Sequence, residues 1–275
     1  EDLRAEALRI AGPARNAEAC YPAIHFLINA LRPAGDHHSF FMTAAEVAKW
    51  AEADSEEAPA QPLSDVMGNF GYIAVPGFHS GDAQQIQTFA NAIQVAIRKM
   101  DGQDVTGWIV DLRENTGGNM EPMILGLGPL LDPGPLGSLV DVRGQHERWS
   151  YADGTYRWDN EVQSQLDDAY TVRRRRPIAV LTSPRTGSSG EIVVISFIGN
   201  TRTRSFGQPT WGLTTGNGAF DLPDGARMML ASTVMCDRTG RCYEGPVVPD
   251  VEVPVVEGKD AVLEAALHWL EQEPK

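Results

Sequence analysis

Two hydrophobic periods alternate along this chain. Apolar residues run almost unbroken from Phe70 to Val75 and from Trp108 to Leu112, and between them Ile86, Phe89, Ala90, Ile93 and Ile97 recur at helical spacing behind Asp82. Short β-branched runs fit strands covered on both faces, whereas an i, i+3, i+4 stripe fits one face of a helix whose first N–H groups the Asp82 carboxylate can accept. The spacing therefore predicts a β-α-β unit. Upstream, residues 1–57 read as short helices and residues 58–63, with Pro59 and Pro62, as a linker. Downstream, Asp153-Gly154 and Asp224-Gly225 lie between strand-like runs and mark hairpins, and Asp260 to Leu270 reads as an amphipathic terminal helix. No internal repeat is visible.

A second strand-to-helix step carries candidate chemistry. Ile178 to Leu181 is an apolar β-rich run that leads into Gly187-Ser188-Ser189-Gly190. The segment after it, Ile192 to Ile198, is apolar at every position but Ser196 and is closed by Gly199-Asn200, a helix-stop pair. Its β-branched content would also suit a strand, but the turn chemistry on both sides favours a helix. Such a turn presents a serine hydroxyl at a helix N-terminus, where unpaired N–H groups and the positive end of the dipole favour a developing oxyanion. Ser188 and Glu191 also fit a capping box, in which the two residues satisfy each other's main-chain N–H groups and nothing reacts. This stretch alone leaves both readings open.

Three further segments narrow the choice: GDHHSFF at 35–41, DLRENTGGN at 111–119 and YEGPVVPDVEV at 243–253. Together with TSPRTGSSGE at 182–191 they resemble the S41 peptidases, the family of the carboxyl-terminal processing proteases and the tricorn core, in order and over most of residues 25–255. The resemblance implies an α/β fold with a crotonase-like or ClpP-like core and a small helical N-terminal subdomain, divided as 1–66 (subdomain and linker) and 67–275 (catalytic core). It implies Ser188 as nucleophile, with the N–H of Ser189 as one oxyanion donor and that of Gly117 or Gly118 as the other. Glycine suits that place because only a residue without Cβ lets a substrate carbonyl approach the backbone so closely.

The base separates the branches of the family. Processing proteases use a lysine in a TFGKG-like segment; the corresponding stretch here, PTWGLTTGN, has Leu213 in its place, and a leucine takes no proton. The only lysines are Lys49, Lys99, Lys259 and Lys275, the first three in surface-like helical contexts and the last at the terminus. The chain resembles the tricorn-like branch more closely, and the Ser-His-Glu arrangement of that branch implies His38 and Glu244 here. Imidazole suits the task, since its ordinary pKa of about 6.5 lets it take the serine proton and return it near neutral pH. His38 is preferred to the adjacent His37 because it directly precedes Ser39, as in the family pattern. His25, His79, His146 and His268 read as structural or surface residues.

The resemblance thus implies a serine peptidase acting on peptides or unfolded proteins by acyl-enzyme chemistry, with no cofactor and no metal. A non-catalytic binding module of the same fold for a small apolar ligand, as in the interphotoreceptor retinoid-binding modules, is the alternative; a crotonase-like acyl-CoA enzyme is a third. The interval between His38 and Phe70 is too short for a PDZ domain of roughly 80–100 residues.

Composition restricts the partners. A net charge of −14 argues against nucleic acid or an anionic membrane surface. The Arg173 to Arg176 run reads as a solvated edge, with capture of a substrate carboxylate as the sharper option. No apolar stretch reaches the roughly 18 residues of a membrane-spanning helix. Cys236 and Cys242 bracket the turn-like DRTGR and could close a disulfide loop, which would point to an oxidising compartment, periplasmic or secreted. Cys20 is expected to be a buried thiol.

Overall fold

The structure is a computed structural model that describes residues 2–56 and 59–274, so Ala58, where the expected linker begins, lies outside the described residues. In chain order the elements are α1 (Leu3–Ala11), α2 (Tyr21–Leu31), β1 (Phe40–Met42), α3 (Ala44–Glu56), β2 (Leu63–Met67), β3 (Phe70–Ala74), α4 (Ala83–Asp101), β4 (Gly107–Asp111) and α5 (Met120–Leu127). There follow β5 (Gly134–Asp141), β6 (His146–Ala152), β7 (Thr155–Trp158), β8 (Glu161–Gln165), β9 (Ile178–Thr182), α6 (Ser189–Phe197) and β10 (Thr203–Gly207). The chain ends with β11 (Thr215–Asp221), β12 (Arg227–Asp237), β13 (Cys242–Tyr243), β14 (Val251–Glu252) and α7 (Ala261–Gln272).

The chain divides into two compact units, Glu1–Glu57 with Thr215–Thr233, and Ala58–Thr214 with Val234–Lys275. The expected core, 67–275, includes residues 215–233. These residues instead belong with the N-terminal unit, because β12 pairs antiparallel with β1, Phe40 opposite Met229, and β11 pairs with β12. Ile28, Phe41 and Ala226 form the small core there, and Tyr21 reaches Asp224 at 2.7 Å. Cys20, expected to be buried, is only half-buried.

The second unit is built on a six-stranded sheet ordered β14-β10-β9-β4-β3-β2, parallel except for β2. Strand periodicity divides its residues between two faces. Trp108, Val110, Ile178 and Val180 join one apolar cluster with α4, α5 and α6, while Ile109, Ala179 and Leu181 join another with Ala266 and Leu270 of α7. The predicted β-α-β unit is present. Asp82 caps α4 through Gln85 N–H, and Phe89, Ile93 and Ile97 on its inner face have no exposure, worth roughly 1.5–3 kcal/mol per side chain relative to water. The apolar segment is helical from Ile192 to Phe197, as the turns on either side indicate, and Ile198 is the extended C-cap. Asp153 and Gly154 both take positive φ in the β6–β7 hairpin. Strand β2 has no hydrophobic signature in the sequence, because Leu63 to Met67 is an exposed edge without an apolar run. A disulfide joins Cys236 of β12 to Cys242 of β13. Among the described residues no helix is long and apolar enough to cross a membrane.

Candidate active site

Strand β9 ends at Thr182, and the chain turns sharply before α6. Ser188 stands at that turn with φ +52° and ψ −120°, a conformation costly for any residue with a Cβ. Ser189 N–H opens the first turn of α6, where main-chain donors have no helical partner. The tether is the neighbouring loop after β4. Asn115 is fully buried; its carbonyl oxygen accepts the N–H of Gly187 and its Oδ1 the N–H of Gly117, both at 3.0 Å. The same side chain donates through Nδ2 to Val75 O at 3.1 Å. Asn115 thus fastens the glycine loop to the serine turn, a role that its place in DLRENTGGN does not signal.

Gly117 and Gly118 have φ of +106° and +103°. A Cβ on Gly117 would lie 2.9 Å from Ser188 Cβ and 2.8 Å from Gly187 O, so glycine is what lets the two loops meet. The two residues differ as donors. Gly117 is buried and its N–H is taken by Asn115, whereas Gly118 is exposed and its N–H makes no hydrogen bond among the described residues. Ser189 Oγ donates to Gly118 O at 2.5 Å, so this side chain too holds the glycine loop.

Behind the turn, Glu191 has no solvent exposure. Its carboxylate accepts Ser188 N–H at 2.8 Å, Thr210 Oγ1 at 2.5 Å and Gly212 N–H at 2.8 Å. Burial pushes its pKa above the ordinary 4.5, and these donors pull it back. The expected capping box of Ser188 and Glu191 is therefore present, and Glu191 also ties α6 to the 210–212 loop. Leu213 of that loop stands near Gly187.

His38 lies in the first unit, in the loop before β1. Arg32 donates to the carbonyls of Asp36 and Ser39, at 3.0 and 2.7 Å, and Asp36 Oδ1 accepts the N–H of His38 at 3.0 Å and that of Ser39 at 2.8 Å. His38 Nδ1 is 2.8 Å from Thr215 Oγ1, and Asn217 Nδ2 donates to His38 O at 3.1 Å. Burial lowers the imidazole pKa below 6.5, with a bond to the Thr215 main chain and the charge of Asp36 opposing the shift. His37 is exposed.

Glu244, in the second unit, is exposed and makes no hydrogen bond or ion pair among the described residues. Its turn is fastened by Thr214, whose Oγ1 lies 2.9 Å from Gly245 O and accepts Gly245 N–H at 3.1 Å. The arginine run is engaged locally: Arg173 pairs with Asp101 at 3.3 Å, and Arg175 donates to Leu131 O at 2.8 Å. No cluster suited to a metal ion occurs among the described residues.

This fold, with a strained serine beside a glycine loop, is that of a serine-type peptidase family. Residues 69–253 match the model of peptidase family S41, and the chain belongs to that family. It is similar to the nisin-resistance protein of Lactococcus lactis subsp. lactis, with 30% identity over 261 residues that span 94% of this chain and 77% of that protein. The chloroplastic carboxyl-terminal-processing peptidase 2 of Arabidopsis thaliana is 28% identical over 182 residues, 66% of this chain and 30% of that protein. Among solved structures, a lipoprotein from Streptococcus agalactiae superposes with a TM-score of 0.76 at 25% identity, covering 98% of this chain and 87% of that one.

Proposed function

We propose that this protein is a serine peptidase that hydrolyses peptides or unfolded proteins through an acyl-enzyme, on a core of the crotonase-like or ClpP-like kind. Ser188 Oγ attacks the substrate carbonyl carbon and its proton passes to His38 Nε2. The oxyanion is received by the N–H groups of Ser189 and Gly118; of the two glycines, Gly118 has the role because the N–H of Gly117 is taken by Asn115. One such donor typically contributes about 10²–10³-fold in rate. Collapse breaks the C–N bond and the imidazolium gives its proton to the leaving amine. Water, deprotonated by His38, then releases the acyl group from Ser188. Glu244 supplies the carboxylate of the Ser-His-Glu set.

The observation that carries this reading is the Ser188 backbone, φ +52° at the head of a buried helix, since strain of this kind gathers where a nucleophile must be presented. The Cys236–Cys242 bridge and the lipoprotein among the structural relatives support an extracytoplasmic setting, periplasmic or secreted. The name of the Lactococcus relative makes nisin a first substrate to try. Incubating nisin and an unfolded protein with the wild type and with Ser188→Ala, and reading products by mass spectrometry, tests the proposal: cleavage by the wild type alone is expected, and equal cleavage by both would overturn it.

A further inference from the structure

We propose that Thr215, rather than a carboxylate, is the positioning residue that orients His38. The inference rests on His38 being the base. A neutral imidazole has one donor nitrogen and one acceptor, and a base must present the acceptor to the serine. A partner that receives Nδ1–H therefore leaves Nε2 as the proton acceptor. Thr215 Oγ1, at 2.8 Å from Nδ1, is placed to receive that proton.

The strand that carries Thr215 adds an independent observation. Thr215 and Asn217 are two apart on β11 and so share one face of the strand. Both reach His38, Thr215 at the ring and Asn217 at the main-chain carbonyl, 3.1 Å away. One strand face thus fixes both the ring and the backbone of a residue 177 positions upstream from Thr215. The charged group whose field raises the imidazole pKa is Asp36, and its carboxylate is engaged by the N–H groups of His38 and Ser39 and by Ser39 Oγ. Glu244 is exposed and makes no such bond among the described residues.

The test compares Thr215→Val, Thr215→Ser, Glu244→Gln and His38→Ala on one quenched fluorogenic peptide, with thermal unfolding run alongside. Thr215→Val is expected to lower kcat by roughly 10- to 10³-fold with KM nearly unchanged, Thr215→Ser to recover most of that loss, and Glu244→Gln to lose less than Thr215→Val. Nitrogen-15 shifts of the neutral His38 ring should report the Nδ1–H form in the wild type and a mixture in Thr215→Val. Wild-type kcat and ring shifts in Thr215→Val, with His38→Ala inactive, would overturn the inference while sparing the base. A larger loss in Glu244→Gln than in Thr215→Val would return the orienting role to the carboxylate. Activity retained by His38→Ala would instead remove the reading on which the inference stands.

Discussion

Glu191 Oε2 accepts the main-chain N–H of Ser188 at 2.8 Å from a position without solvent exposure. A carboxylate so placed does more than start a helix, because it also receives Thr210 Oγ1 and Gly212 N–H. Glu191→Gln puts an NH2 group where only acceptors serve, leaving at least one buried donor unmatched at roughly 1–3 kcal/mol. Since the folded pKa of Glu191 is raised, its contribution is complete below about pH 4.5 and declines as pH rises through the folded value. Denaturant unfolding should therefore show a larger deficit for Glu191→Gln at pH 4 than at pH 7; a deficit that grows with pH would contradict this.

The imidazole of His38 is held below its ordinary 6.5 mainly by burial. A base must be neutral, so activity falls as pH drops through that lowered pKa. The acid limb of kcat/KM should lie below 6.5, and a limb above 6.5 would show another group to be titrating.

Ser189 contributes more than its main chain, because Ser189 Oγ holds Gly118 O. Ser189→Ala should keep the fold, at a cost of about 1 kcal/mol for one hydrogen bond, and lower kcat several-fold while KM changes little. Wild-type kcat would show that the Gly118 peptide stays in place without this bond.

The Cys236–Cys242 bridge closes a short loop worth about 2 kcal/mol by chain entropy. Mass spectrometry of unreduced peptides should find the two residues linked in protein made under oxidising conditions, and the Cys236→Ser/Cys242→Ser pair should lose about that much stability. Two free thiols would withdraw this support for an extracytoplasmic setting.

Local features of this fold were legible in the sequence. The glycine loop at 117–118, the serine turn at 187–190 and the Asp82 cap each lie within a few residues, where turn and capping chemistry act. Partners distant in the chain were not. Nothing near His38 indicates that Thr215 will meet its ring, because strand pairing of β11, β12 and β1 makes that contact. Glu191 read as a helix-start residue because a capping pattern is the same whether the carboxylate faces water or the interior. Asn115 is silent in its own motif because its importance lies in a main-chain bond to Gly187 of the serine turn and in side-chain bonds to Gly117 and Val75.

Labelling by a fluorophosphonate tests the central claim most directly, since the reagent forms an Oγ–P bond and expels fluoride only at an activated serine. The account predicts one stoichiometric adduct, located on Ser188 by peptide mass spectrometry, absent from Ser188→Ala and slowed as pH falls below the His38 pKa. An adduct on Ser189, or equal labelling of Ser188→Ala, would contradict it.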